Sequence, residues 1–299
     1  MTNFADRIGG APISWGVCEA PGWGVELPAE RVLAEMAQLG FRATELGPTG
    51  YLGAAPTDVR ERLRANGLRL IGGFLPVPMH VATDADLAEA AAAMDTLAAG
   101  GSEVVVLAAR STDGSYDRKV RLTDAEWDVL FATLDRLQAM ARERGLTPTL
   151  HPHVGTAVED RASVLRLVER SDILLCLDTG HLMIGGMQPA ELIGLAADRI
   201  AHVHLKDVNA AVAAAVATGG TSYLTAVRAG LYTPLGDGDL AIATIVGDLE
   251  AAGYGGWYVL EQDAALSEVP QAGAGPVHDV RRSLDFLLAV GAELPGVAR

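Results

Sequence analysis

The sequence predicts an α/β chain folded as a single (β/α)8 TIM barrel, on three observations. Short apolar or β-branched runs alternate with helix-length amphipathic stretches along the whole chain. Polar, chemistry-bearing residues stand at the ends of several of those runs. No Pro- or Ser-rich linker divides the 299 residues. Parallel strands need crossovers of a dozen or more residues, usually helices, and this alternation supplies them. Eight such units in about 290 residues suit a closed barrel.

Strands are expected at 7–14, 42–46, 68–74, 103–108, 146–151, 173–178, 200–205 and 257–261. Helices are expected at 28–39, 84–99, 124–144, 159–170 and 239–252, with a last one at 277–290. Gly40, Gly67, Gly100, Gly145 and Gly253 stand where helix ends want a left-handed cap. Thr123 and Glu126 have the spacing of a capping box. A doubly wound dinucleotide fold is disfavoured, because no Gly-x-Gly-x-x-Gly follows the first strand. The least regular region, 207–238, is too long for a plain loop and reads as a lid insertion with its own short helices, inside one domain spanning 1–299. Gly236-Asp-Gly-Asp239 has too few ligands for a calcium loop and reads as a helix start capped by Asp239.

Composition narrows the function. Hydrophobic residues at 49% and charged residues at 20% describe an ordinary globular chain. A net charge of -15 and a pI near 4.8, with no basic run, argue against nucleic acid and anionic membrane as partners. No apolar stretch reaches the length of a membrane span, and the start of the chain shows no secretory pattern, so a cytoplasmic location is expected. Cys18 and Cys176, far apart, give no disulfide framework.

Five of the seven histidines fall in one context. His151 and His153 close the fifth strand, His181 follows the sixth, and His202 and His204 end the seventh. Glu45 ends the second strand and Glu261 the eighth. In this fold all strand C-termini open on one mouth, where active sites are built. Strand side chains alternate, so His204 and His202 share the inner face, as do Asp178 with Cys176, His151 with Thr149 and Glu261 with Val259. Carboxylates and imidazoles gathered at a partly dry mouth are costly unless a cation pairs them. His151, Asp178, His204 and Glu261 are therefore expected to hold one divalent metal ion. Mixed nitrogen and oxygen ligation suits Mn, Fe, Co or Zn. Trp15, after the first strand, reads either as a rim-packing residue or as a ring on which a sugar stacks.

Gly10-Ala-Pro-Ile-Ser-Trp-Gly16, Ala43-Thr-Glu-Leu-Gly-Pro48, His151-Pro-His-Val-Gly-Thr156, Leu177-Asp-Thr-Gly-His181, His202-Val-His-Leu-Lys-Asp-Val208, Ala226-Val-Arg-Ala-Gly230, Gly236-Asp-Gly-Asp239 and Tyr254-Gly-Gly-Trp257 before Leu260-Glu-Gln-Asp263 carry a resemblance. Nearly end to end, the chain resembles the xylose isomerase-like TIM barrels, the superfamily of sugar isomerases, tagatose-type epimerases and endonuclease IV. Within it, the chain is most similar to the inosose dehydratase branch. The resemblance implies a metal held by a fifth-strand residue, Asp178, His204 and Glu261, with Mn or Co ahead of Zn, Fe or Mg. The epimerases usually carry Glu at the fifth-strand position, where this chain has His151. Pro152 departs from the run of three histidines associated with the dehydratase branch.

The implied activity is metal-dependent dehydration of 2-keto-myo-inositol (scyllo-inosose) by proton abstraction beside the ketone and loss of water. Glu261 or His153 is the expected base, and Lys206 or His181 the acid or hydroxyl anchor. Glu45, His202 and Arg228, the last reaching over from the lid, are expected at the substrate with Trp15. An isomerase or epimerase of a ketose or inosose shares the same enolate and is the nearest alternative; a non-catalytic sugar-binding barrel is the second. Relatives suggest a homodimer or homotetramer.

Overall fold

The structure is a computed structural model that describes residues 3–294; the two ends of the expected 1–299 domain lie outside the described residues. The strands are β1 (Ile8–Gly10), β2 (Ala43–Glu45), β3 (Arg69–Gly72), β4 (Phe74–Val77), β5 (Val104–Ala109), β6 (Thr147–Leu150), β7 (Leu174–Asp178), β8 (Ile200–Leu205), β9 (Asp207–Val208), β10 (Tyr232–Thr233) and β11 (Tyr258–Leu260). The α-helices are α1 (Ala29–Leu39), α2 (Pro56–Ala65), α3 (Asp84–Gly100), α4 (Asp124–Glu143), α5 (Arg161–Arg170), α6 (Thr179–Ile184), α7 (Pro189–Ala196), α8 (Ala210–Ala217), α9 (Tyr223–Arg228), α10 (Ile242–Ala251) and α11 (Pro276–Glu293).

Nine strands form one parallel sheet in the order β3-β2-β1-β11-β8-β7-β6-β5-β4. The two edge strands, β3 and β4, are halves of one stave, so the sheet closes into a barrel of eight staves. The expected strand at 68–74 is split because the chain changes partners at its middle. The Gly72 carbonyl accepts from Leu46 N–H on one side (3.0 Å), and the Gly73 carbonyl accepts from Val106 N–H on the other (2.9 Å). A Cβ at Gly73 would sit 2.6 Å from the Leu97 side chain of α3, which would have to move aside.

Alternation divides the core as the fold requires. Ala43, Ile71 and Val259 form one small cluster and Val104, Val106 and Cys176 another. Their strand neighbours Leu70, Val105, Leu177, Val203 and Leu260 join the large core cluster that also takes in the helices. Thr123 and Glu126 make the capping box of α4, and Gly40, Gly67, Gly145 and Gly253 have positive φ. Cys18 and Cys176 are both free thiols.

Four expectations are corrected. The first strand ends at Gly10, not at 14, because Pro12 has no N–H for the ladder and opens a 3-10 turn, Pro12–Trp15. Gly100 is the last residue of α3, and the left-handed cap is Gly101 at φ 91°. The helix expected at 159–170 starts at Arg161 with Asp160 as its cap. Asp239 does not cap the helix that follows it: α10 begins at Ile242, and the Asp239 carboxylate instead accepts the Ala210 N–H at the start of α8 (2.8 Å). The 207–238 segment does carry short helices, α8 and α9, together with the antiparallel pair β9–β10. No helix among the described residues is long and apolar enough to cross a membrane.

Candidate metal centre

Four of the expected residues meet at the C-terminal mouth of the barrel. His151 directly follows β6, and its N–H continues the ladder to Leu107 O (2.8 Å). Asp178 ends β7 and caps α6, accepting His181 N–H on Oδ1 (2.8 Å). In the parallel register Asp178 lies beside His204, and His204 beside Val259, two residues before Glu261 on the same face. One ligand atom from each of His151, Asp178, His204 and Glu261 lies within 4.8 Å of those of the other three. Asp178 Oδ2 is 3.6 Å from His151 Nε2 and 3.7 Å from His204 Nδ1, and Glu261 Oε2 is 2.9 Å from His204 Nδ1.

Glu45 sets the tautomer of this cluster. Its Oε1 accepts from His202 Nε2 (2.8 Å) and His204 Nε2 (3.1 Å). With Nε2–H on Glu45, His204 turns Nδ1 toward Asp178 and Glu261. An imidazole whose far nitrogen is tied to a carboxylate is oriented and made a better donor to a metal. Gly72 makes room for this bridge, since a Cβ there would approach Glu45 Oε1 to 2.8 Å.

The residues fit a cation on an observation of their own. Asp178 Oδ2 is buried, faces the shared point and has no hydrogen-bond partner, while His204 Nδ1 meets the Glu261 carboxylate there (2.9 Å). Buried polar atoms are rarely left so, because the desolvation cost is not recovered. Other groupings of ligand-type residues fit less well. His151, His153 and His181 are three neutral imidazoles with no carboxylate among them to offset a cation's charge. In Glu45, His202 and His204, both Nε2 atoms are already taken by Glu45 Oε1.

The electrostatics agree. Burial raises the Asp178 carboxyl to about 7, against the pull of Lys206 and His204. Burial also disfavours charge on Glu261, but His204 and Lys206 outweigh it and hold that carboxyl below its ordinary range. Burial pushes the His151 and His181 imidazoles well down and His153 to about 4, so all three are neutral near pH 7. For His204 burial is outweighed by Cys176, Glu261 and Glu45, which keep it protonated. A metal ion taken up here would displace protons from Asp178 and His204. Calorimetric titration with Mn(II) in buffers of different ionisation enthalpy should show more proton release at pH 6 than at pH 8, and an affinity that rises with pH. Affinity independent of pH over this range would contradict the ligand set.

Above the centre opens a cleft of ≈ 570 Å³. His151, His153, His204, Lys206, Glu261 and Glu45 line it. The Lys206 ammonium stands 3.1 Å from Glu261 Oε2 and 3.9 Å from Asp178 Oδ2. Burial works against its charge, yet Asp263, Glu261 and Asp178 hold it well above the ordinary lysine range. His153, with Nδ1–H on the Val154 carbonyl, keeps Nε2 as an acceptor.

Other expected site residues lie elsewhere. Trp15 is fully buried in the core, its indole N–H on Glu35 Oε2 (2.8 Å), because the 3-10 turn swings it away from the mouth. His202 is fully buried behind Glu45, one pleat below His204, and supports Glu45 instead of facing the cleft. His181 packs behind His153 with ring centroids 3.8 Å apart and does not line the cleft. Arg228, exposed at the end of α9, donates to the carbonyls of Gly22 (2.8 Å) and Trp23 (2.9 Å), tying α9 to that loop. Glu45 lines the cleft, but its Oε1 is taken up by the two histidines.

Several cleft residues escaped the sequence reading. Asp263 accepts from Lys206 and follows Glu261 by two residues, a period-two signal that was available. Trp23, Tyr116 and Tyr223 pack together as one aromatic wall, with Tyr116 and Tyr223 centroids 5.4 Å apart. They come from three separate segments with no shared periodicity, so nothing in the sequence joins them.

A (β/α)8 barrel with a histidine–carboxylate cluster in its mouth defines an enzyme built like the sugar isomerases. The profile described as xylose isomerase-like TIM barrel matches residues 33–290. The chain belongs to that family. It is 34% identical to an inosose dehydratase of Geobacillus thermodenitrificans (strain NG80-2) over 277 residues, 87% of this chain and 91% of the relative. It is 31% identical to one of Clostridium botulinum (strain Alaska E43 / Type E3), over 87% and 91% of the two chains. Among solved structures, the IOLI protein with a binding zinc atom superposes with a TM-score of 0.71 at 13% identity, covering 97% of this chain and 99% of its own. The probable 3-DHS dehydratase AsbF of Bacillus anthracis gives 0.70 at 14% identity, covering 94% and 98%. At such identities these two share the fold alone. The relatives and the fold together make this chain a sugar-processing enzyme of the isomerase, epimerase or lyase type.

Proposed function

We propose that the chain is a metal-dependent hydro-lyase that dehydrates scyllo-inosose. The observation that carries the reading is the asymmetry of the cleft: one metal-site carboxylate, Glu261, faces it beside an ammonium, Lys206, with His151 where a second carboxylate would be needed for symmetric proton exchange. Epimerisation must return a proton to the same carbon. Elimination needs one acceptor and one hydrogen-bond donor, which is what stands here. The similarity to inosose dehydratases supports the same choice.

His151, Asp178, His204 and Glu261 would hold the ion. A bound divalent cation polarises a ketone and stabilises its enolate as a Lewis acid, with Mn or Co favoured and Zn, Fe or Mg as alternatives. The rest falls to side chains. Glu261, or His153 through Nε2, takes the proton from the hydroxyl-bearing carbon beside the ketone. The C–H electron pair forms the enolate, and its collapse expels hydroxide from the next carbon. Lys206 gives a proton to that departing oxygen, which leaves as water, and regains one from the protonated base, Glu261 standing 3.1 Å from its nitrogen. The resulting enol tautomerises to a 1,2-dione. Each positioned acid or base contributes roughly 10²–10⁴ in rate.

Incubating Mn(II)- or Co(II)-loaded protein with scyllo-inosose should give a product lighter by one water, with new ultraviolet absorbance of the dione. An isomer of unchanged mass would mean an epimerase, and unaltered substrate a barrel that only binds; either result overturns the reading.

A further inference from the structure

Lys206 belongs to a buried network that reaches out of the barrel into the 207–238 segment. The chain has two lysines, Lys119 and Lys206, among 23 basic residues. Lys206 is 2% exposed, and its ammonium donates to Asp263 Oδ1. The other oxygen of Asp263, Oδ2, accepts from Tyr223 OH at 2.7 Å. Tyr223 OH in turn lies 2.8 Å from Tyr232 OH, and the Lys206 ammonium sits 5.1 Å from the centre of the Tyr232 ring. Tyr223 opens α9 and Tyr232 opens β10, both outside the barrel sheet. Tyr223 is itself anchored, its N–H donating to Asp117 Oδ1 (2.6 Å).

A lysine has a flexible four-carbon stem and rotatable donors, so burial alone does not fix where its ammonium points. Two restraints do so here. Asp263 holds the nitrogen from one side, and the Tyr232 ring face attracts it from another. Asp263 can keep its orientation only while its second oxygen is satisfied, because a buried carboxylate oxygen without a donor costs more than a hydrogen bond returns. Tyr223 supplies that donor.

We infer that Asp263 and Tyr223 are positioning residues for Lys206, holding its ammonium beside Glu261, and that the 207–238 segment acts on the reaction through this chain. The inference rests on the role of Lys206 in the proposed elimination. Neither residue ligates the metal in this scheme, so their effect falls on turnover and leaves metal uptake intact.

The test is a double-mutant cycle on the metal-loaded enzyme with scyllo-inosose, using Tyr223→Phe, Lys206→Gln and both together, with bound metal measured on each. Tyr223→Phe keeps the ring in the aromatic wall and should lower kcat about tenfold, with KM and metal content unchanged. In the Lys206→Gln background the same change should cost nothing further, since the group it positions is gone. Asp263→Asn should lower kcat more than Tyr223→Phe, and Asp263→Glu should recover part of the loss; these two carry the test if Tyr223→Phe does not fold. An equal loss from Tyr223→Phe in both backgrounds, or a loss confined to KM or metal content, overturns the inference while leaving the elimination standing. Wild-type turnover in Lys206→Gln overturns the role of Lys206 and this inference with it.

Discussion

His204→Ala should lose metal and activity together, with affinity for Mn(II) falling roughly a thousandfold, since partners behind a ligand alone are worth 10–100-fold. The reason lies in what His204 touches. Its Nδ1 faces Asp178 and Glu261, and its Nε2 is one of two donors to Glu45. Removing the ring deletes a ligand and leaves three carboxylates near one another with less positive charge between them. A carboxylate without a partner in a buried site shifts toward its neutral form, which is a poorer metal ligand. Turnover should fall below about a thousandth of wild type, because the centre loses both its cation and its geometry. Metal content by atomic emission and kcat with scyllo-inosose read the two effects separately. Glu45→Gln makes the graded comparison: it keeps the shape, weakens the tie to Nε2, and should lower metal affinity by about 10–100-fold. His204→Ala with full metal content and full turnover would remove the basis of the proposed function.

Asp207→Ala should be the most destabilising substitution outside the apolar core. Asp207 is fully buried beside Lys206, and its carboxylate accepts four backbone N–H groups, from Val208 (2.9 Å), Gly236 (2.9 Å), Gly238 (3.1 Å) and Leu240 (3.1 Å). It thereby fastens the end of the 207–238 segment to the mouth of the barrel. Gly238 has no alternative at this contact, because a Cβ there would collide with the Asp207 carboxylate. Replacing Asp207 by Ala leaves four donors without an acceptor, two buried and two part-buried, each worth about 1–3 kcal/mol when buried and unmet. Partial entry of water should bring the net loss to about 4 kcal/mol, at the upper end of single substitutions. Urea unfolding with unchanged slope would read it as a lower midpoint. Asp239→Ala removes a single exposed hydrogen bond and should cost about 1 kcal/mol or less. Equal midpoints for the two variants would show that the four-donor contact carries no more than a surface cap.

The four proposed ligands were legible because two rules act on them at once. Period-two alternation sends the last polar residue of a strand inward, and barrel closure brings those residues to one mouth. His151, Asp178, His204 and Glu261 obey both. Trp15 obeys neither, since Pro12 ends the strand before it and a 3-10 turn carries the indole into the core. His202 obeys alternation but lies one pleat too deep to reach the cleft, and only the third dimension shows that depth. The division of the third stave at Gly73 depends on hydrogen-bond partners contributed by Leu46 and Val106, residues 27 and 33 positions away in sequence. Asp239 has the residue type of a helix cap, but Ala210 N–H competes for it and wins. The aromatic wall of Trp23, Tyr116 and Tyr223 is set by contacts among loops, where no repeat of apolar residues announces which side chains will meet.

The central claim is that one cation sits among His151, Asp178, His204 and Glu261. Anomalous diffraction at the metal edge, from crystals of Mn(II)-loaded protein, tests it most directly. A single strong peak at the barrel mouth, within roughly 2.3 Å of one ligand atom from each of the four side chains, is the expected result. A peak held by other residues, or a loaded crystal in which these four make no contact with any metal, would contradict it.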